Sequence, residues 1–433
     1  MQQLTRIVPR WRPFIGLPSR LTSCDRRKDD FMFSSFGHIA GRQQLLVLSL
    51  MIFAQGSAFG ATIPYLSVTA IGTLGMSDGA YSLLVIGSSI SAVVISVSLG
   101  ILSDILGDRR HMLIAMSALG FLGYGAIYLF PSIPVFLIAT SLVIPFFYAT
   151  SSLLFASARL QTADLEPADA ASVNAMLRAI VSAAWVITPA GLGLALAASG
   201  TMLAAWGLAS LFCLFILLSS SLLLKSPPRP PQRDKSAPGF LAALRELAAA
   251  DMLLRIVSIA AITSNLRLSG TIWPLILTLQ LGGGTADVGL IASMTALVEI
   301  PFMLIWAHLL KRYSIVGIIV VAAIGYGTYM GALSLASAPW HIYLLALPGA
   351  AFAAALLALP LNYFQDLFPG RPGLGTAFLP INSFLGNGLN AAAFAAGSHI
   401  LGYSGAAWIG FALALSGVGG LLLSEARIDK ARK

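Results

Sequence analysis

Two ionisable residues stand deep inside apolar stretches. Arg267 lies near the middle of a run at 252–279, and Glu299 in the middle of the next, at 286–309. A charge at the centre of a membrane helix costs about 2.5–3.5 kcal/mol on insertion scales, so such residues mark a transport pathway or a buried pair. Glu299 is the one acid read inside the hydrophobic interior. The neighbouring runs can bring the two together. They would then bind hydroxyls as a pair, or Glu299 would exchange a proton under the influence of Arg267. A structural ion pair, or a cation at a lipid interface, is the other reading. Asn265, Gln55, Asn382, Asn387 and Asn390 also lie in apolar runs. An amide offers donors and an acceptor together, which suits ligand hydroxyls, and equally suits gluing one helix to another. Asn387 and Asn390, three apart, share a helix face. Trp185 and Trp273 sit within runs, placed either to stack on a ligand or to pack. Arg178 is a candidate anchor or gate partner.

A further constellation is Gly100-Ile-Leu-Ser-Asp104-Ile-Leu-Gly107-Asp-Arg109-Arg110. Gly100 allows close helix approach, Asp104 can accept charge-assisted hydrogen bonds, Gly107 permits a tight turn, and Arg109 and Arg110 would hold a membrane surface. Other chemistries are poorly supplied. Cys24 and Cys213 are the two cysteines, which excludes a disulfide framework and a cysteine zinc site. The five histidines include no close pair, so no metal is expected. No G-x-x-x-x-G-K-[ST] loop is present, which argues against ATP-driven pumping.

These residues must be positioned by membrane helices. Of 433 residues, 57% are apolar and 10% charged, against about 25% charged in soluble proteins. Apolar runs occur at 45–70, 81–103, 112–130, 134–157, 173–199 and 202–224, then at 252–279, 286–309, 314–336, 341–364, 374–400 and 404–424. With no water to satisfy the backbone, and no alternating strands, the runs are helices. The expected fold is all-α and polytopic, with twelve transmembrane helices in two six-helix halves. The expected divisions are a basic tail at 1–44, one half at 45–224, a Pro- and charge-rich linker at 225–251, the second half at 252–424, and a tail at 425–433. Phe240 to Ala250 reads as a short interfacial helix.

Lysine and arginine fix the orientation. Of 26, eight precede residue 45, six lie from Lys225 to Arg255 and four close the chain; seven more sit in or flank alternate connections, leaving only Arg267. The positive-inside rule then makes both termini cytoplasmic. That accounts for the formal net charge of +9 without a nucleic-acid partner. The basic first 40 residues lack the apolar core of a signal peptide; they are a cytoplasmic tail, or translation starts at Met32.

The G-x-x-x-D-x-x-G-x-R-R spacing resembles the signature loop of the major facilitator superfamily. The chain from about residue 40 further resembles the sugar efflux transporters of that superfamily. The resemblance is carried by Ser103–Arg110, Met176–Pro189, Glu299-Ile-Pro301 followed by Lys311-Arg-Tyr313, and Phe364–Arg371. It implies export of sugars or glycosides by alternating access, coupled to inward proton movement. The place would be the bacterial inner (plasma) membrane, with no cofactor and no catalysis, and with substrate, protons and lipids as the partners of a monomer. Gly100, Asp104, Gly107, Arg109 and Arg110 would serve gating. Arg267 and the basic N-terminal tail depart from that family's pattern and bear on substrate identity. Thr188-Pro189-Ala-Gly191-Leu-Gly193 partly resembles the antiporter motif of facilitator exporters. Export of amphipathic drugs by the same fold is the alternative; a membrane sensor would call for a soluble domain that no loop is long enough to hold.

Overall fold

The computed structural model describes residues 37, 39–106, 109–199, 201–225, 250–367 and 372–432. The interfacial helix expected at Phe240 to Ala250 lies almost wholly outside them, as do Met32 and Arg371. The described chain is helical. The first half comprises α1 (Gln43–Tyr65), α2 (Asp78–Leu106), α3 (Arg109–Leu129), α4 (Ile133–Gln161), α5 (Pro167–Ser199) and α6 (Ala204–Leu222). The second comprises α7 (Ala250–Leu275), α8 (Thr285–Leu309), α9 (Ile315–Leu333) and α10 (Pro339–Leu367). A continuous stretch, Pro372–Arg432, is broken where Leu401 and Gly402 leave helical geometry, Gly402 at φ 66°. It therefore forms two spans, α11 (372–400) and α12 (403–432), and the described residues hold twelve spanning helices. At 1.5 Å per residue, the 25 residues of α8 rise about 37 Å, enough to cross a bilayer.

Several helices begin earlier than their apolar runs. α5 starts at Pro167 with Asp169 in its first turn, a proline at the first position and an acid at the positive end of the helix dipole. Hydropathy alone stops at the edge of hydrocarbon, whereas the helix continues into the polar layer.

The halves repeat a local geometry. α1 ends in a wider turn over Val68–Thr73, and α7 in one over Ile276–Gln280. Each is closed by the same pair of bonds: Leu74 N–H to Thr69 O and Met76 N–H to Ala70 O, then Leu281 N–H to Ile276 O and Gly283 N–H to Leu277 O. The residue between the donors is Gly75 (φ 71°) in one and Gly282 (φ 75°) in the other, a left-handed cap that suits glycine.

With twelve spans, both ends of the described chain lie on one side, here called the termini side. There, described contacts stitch each half to itself. Arg42 holds Asp164 of the α4–α5 connection at 2.7 Å, keeping that carboxyl below its ordinary range. This surface clasp is intact at neutral pH and is lost as pH falls through the lowered value; being exposed and screened, it is weak. Arg110 donates to the carbonyls of Ser220 and Ser221 at the end of α6. Buried Arg255 of α7 pairs with Glu425 of α12 at 2.8 Å, and the Tyr363 hydroxyl donates to the same carboxylate.

The halves meet most closely at the far side. The Tyr65 hydroxyl of α1 donates to Thr285 O at 3.2 Å, and Ala190 N–H of α5 donates to Ser293 Oγ of α8 at 2.8 Å. The Tyr403 hydroxyl reaches Asp78 Oδ1 at 3.4 Å, and Tyr81 meets Phe394 edge-on at 5.5 Å. The α5–α8 backbones nearly touch: a Cβ on Gly193 would stand 3.1 Å from the Gly289 Cα, and one on Gly289 would run into the Pro189 carbonyl. Gly191, two residues back and on the opposite face of α5, faces open space. Overpacking of this kind costs about 1–3 kcal/mol. Gly289→Val should therefore lower the melting temperature and raise the reactivity of a cysteine placed at Thr285, whereas Gly191→Val should leave both unchanged. Equal behaviour of the two variants in a thiol-labelling and thermal-melt assay would refute the close-approach argument.

Candidate functional site

Half-way along the helices the two halves separate around a cavity with two connected lobes. The smaller, ≈ 240 Å³, is lined by Glu299 of α8, Trp273 and Ser269 of α7, and Tyr326 and Tyr329 of α9. The larger, ≈ 590 Å³, is lined by Arg267 of α7 and by Asn382, Ser383, Asn387 and Asn390 of α11. Ile63, Trp185, Leu266, Gly270 and Leu357 line both, so Trp185 of α5 stands at the junction. Cavities of this size suit small molecules, and a few convergent polar groups on apolar walls give orientation.

Each polar residue has an identifiable setting. Arg267 is exposed to the cavity and donates from Nη2 to Ser383 Oγ at 3.1 Å. Asn382 exchanges hydrogen bonds with Thr263, Nδ2 to Oγ1 at 3.1 Å. Asn390 is 4% exposed, and its Oδ1 has no partner. Tyr329 shares a 3.0 Å hydroxyl bond with Ser269. The sequence-based idea of an Arg267–Glu299 pair is not what the geometry shows: among the described residues no ion pair joins them, and they occupy different lobes. The helical faces are responsible, since α7 turns Arg267 toward α11 and Ser269 and Trp273 toward α8 and α9.

Two of the expected substrate-binding amides lie elsewhere. Gln55 is 2% exposed and donates to Thr150 Oγ1 at 2.6 Å, tying α1 to α4. Asn265 is 1% exposed, bonded to the carbonyls of Ala261 and Ile262 and packed toward Gly410 of α12. Gln55 acts as helix glue, whereas Asn265 bonds within its own helix and its buried Oδ1 has no partner. Of the gating constellation, Gly100 and Asp104 fall in the last two turns of α2, and Arg109 and Arg110 open α3; Gly107 lies outside the described residues. Arg178 stands over the Phe155 ring at 6.0 Å, tying α5 to α4. Thr188 bonds Ser57 at 2.9 Å, so the antiporter-like stretch packs on α1. Sequence reasoning passed over Tyr326, Tyr329 and Ser383. The two tyrosines, three apart in a long apolar run, are a detectable signal, because a buried phenol needs a partner or a cavity.

Comparison with known proteins agrees with this architecture. The profile of the Major Facilitator Superfamily matches residues 48–389, and the chain belongs to that superfamily. It is a membrane transport protein rather than an enzyme. A Deinococcus radiodurans protein provisionally named a sugar efflux transporter is 27% identical over 390 residues, covering 88% of this chain and 98% of the relative. Sugar efflux transporter A of Dickeya chrysanthemi is 27% identical over 328 residues, 76% of this chain and 82% of the relative. Among solved structures, the nucleoside transporter NupG superposes with a TM-score of 0.74 at 15% identity, over 88% of this chain and 98% of that one. A POT family transporter in complex with a thioalcohol-conjugated peptide superposes with a TM-score of 0.71 at 12% identity, over 88% of this chain and 96% of that one.

The two settings of polar residues separate experimentally. Gln55→Leu removes an interhelical bond of the kind worth about 0.6–1.7 kcal/mol in membranes, and should lower thermal stability without changing ligand affinity. Trp185→Ala should do the reverse, weakening ligand binding severalfold with little change in melting. A weakened affinity in a well-folded Gln55→Leu protein would return Gln55 to the binding site.

Proposed function

We propose that the protein is a secondary active exporter of sugars or glycosides that works by alternating access, driven by proton antiport. The observation that carries this reading is the central cavity: amides and indoles gathered half-way along the helices, between two halves that are drawn together at the far side. The sugar-efflux names of the aligned relatives support the substrate class. In this reading the termini are cytoplasmic and the state is inward-facing, in the inner membrane of a bacterium. The halves at 45–224 and 252–424 move as units on the 225–251 linker, and a monomer with its surrounding lipid suffices. Glu299 is the coupling group, since it is a carboxyl on the cavity wall that lacks an arginine partner among the described residues. Asp104, at the end of α2, would stabilise one closure state of the termini side. Export of amphipathic drugs is the second reading; it draws on the apolar, aromatic Glu299 lobe, while the amide-rich Arg267 lobe favours sugars.

Inverted vesicles loaded with the transporter test this directly. Labelled lactose or glucoside should accumulate against its gradient only when a pH gradient is imposed. Glu299→Gln should abolish the uphill phase yet retain exchange down a gradient, because an amide still bonds hydroxyls. Uphill uptake by Glu299→Gln vesicles, with unchanged dependence on the pH gradient, would exclude Glu299 as the coupling site.

The signature loop is tested separately. Asp104→Asn should reach the membrane in normal amount and lose most transport, since it would remove a closure contact rather than a packing one. Wild-type rates from a well-expressed Asp104→Asn protein would dismiss the gating role.

A further inference from the structure

The Arg267 lobe holds a full charge that nothing described neutralises. Arg267 lies midway along α7 with its guanidinium open to the cavity. Its described side-chain partner is the Ser383 hydroxyl, and among the described residues no carboxylate lies within ion-pair distance. A guanidinium is permanently charged and presents five N–H donors in a planar fork that matches a carboxylate. Holding that charge in the bilayer interior is costly, and neutral hydroxyls alone would not call for it, since amides serve them. Gly386 of α11 packs beside it, where a Cβ would stand at ordinary contact distance, 3.5 Å from Arg267 Nε. The same lobe is lined by three amides, Asn382, Asn387 and Asn390.

These features together define a ligand with one negative group and several hydroxyls. We propose that the Arg267 lobe binds a sugar acid, with its carboxylate on the Arg267 fork and its hydroxyls on the amides that line the same lobe. The Trp185 ring at the junction of the lobes covers the sugar face. The inference rests on the sugar-transport reading and narrows it from sugars in general to monoanionic ones. A sugar phosphate is the competing anion; with one arginine in the lobe, a single negative charge is matched and a double one is not. Bidentate arginine–carboxylate contacts are among the strong hydrogen bonds, so Arg267 sets the preference between acid and neutral sugar.

The test uses the detergent-purified full chain, with ligand binding followed by tryptophan fluorescence. Four probes are compared: glucuronate, methyl glucoside, glucose 6-phosphate and cyclohexanecarboxylate. Glucuronate should bind at least about tenfold more tightly than each of the others. In Arg267→Gln the ratio of glucuronate to methyl glucoside affinity should fall to about one, and in Arg267→Lys, which keeps the charge but loses the fork, it should lie between. A thermal melt checks folding; if Arg267→Gln fails to fold, the Arg267→Lys ratio decides, and an unchanged ratio there overturns the proposal. Methyl glucoside binding as tightly as glucuronate in the wild type would overturn the anion site and leave sugar transport standing. Cyclohexanecarboxylate binding as tightly as glucuronate would overturn the sugar reading and leave an anion site. Preference for glucose 6-phosphate would overturn the monoanion assignment, and binding of none of the four would overturn both readings.

Discussion

Hydrocarbon offers no hydrogen bonds, so every polar atom inside the bilayer must find its partner in the protein or face a cavity. The backbone answers by forming helices throughout the described chain. The side chains answer in one of two ways, and the division between them is the division between scaffold and site. Gln55 finds Thr150, Asn265 finds backbone carbonyls of its own helix, and Arg255 finds Glu425. Gln55 and Arg255 thereby hold helices together, while Asn265 is spent within its own helix. Arg267, Glu299, Asn387 and Asn390 instead stand on a space between the halves. What a polar residue contributes here depends on which way its helix turns it.

The same constraint shapes the relation between the halves. The caps that end α1 and α7 use equivalent bonds and a left-handed glycine in equivalent places, as expected of two copies of one unit related by an axis along the membrane normal. The site does not share that likeness. Both deep charges belong to the second half, on α7 and α8, while the first half supplies Trp185 and apolar wall. A repeated scaffold thus carries an unrepeated charge pattern. That pattern lets the two lobes differ in chemistry, one with a carboxyl among aromatic rings and one with a guanidinium among amides.

Much of this was legible in the sequence, for a physical reason. Twenty-residue apolar runs have one solution in lipid, so the twelve spans could be placed within a few residues, and rare intramembrane charges could be picked out because their cost is high. Arg267 and Glu299 do line the cavity. Their separation into different lobes was not legible, because a span sequence gives depth but not which neighbour its face meets. Gln55 and Asn265 show the same limit: an amide that glues helices and one that awaits a ligand look alike until packing is known. The spacing of Tyr326 and Tyr329 was a signal outweighed by aromatic bulk, which reads as ordinary core, and Tyr65, which latches α1 to the start of α8, was hidden by its place at the end of an apolar run.

The latch itself must be breakable if the halves are to exchange access. A net hydrogen bond contributes about 0.5–1.5 kcal/mol, and those described between the halves at the far side involve Tyr65, Ala190 and Tyr403, the last at a long 3.4 Å. Beside them stand the edge-on contact of Tyr81 with Phe394 and the close approach of Gly193 to Gly289, which draw on dispersion over small areas. By contrast, each half is clamped internally by charge, through Arg255–Glu425 in one and Arg110 on the α6 carbonyls in the other. Strong bonds lie within the halves and weak ones between them. A two-state equilibrium of that kind is moved from 1:99 to 99:1 by a differential binding energy of about 5.5 kcal/mol. A ligand that engages α7 and α11 on one side and Trp185 of α5 on the other spans the dividing line, so its binding energy acts directly on the contacts that hold the halves together.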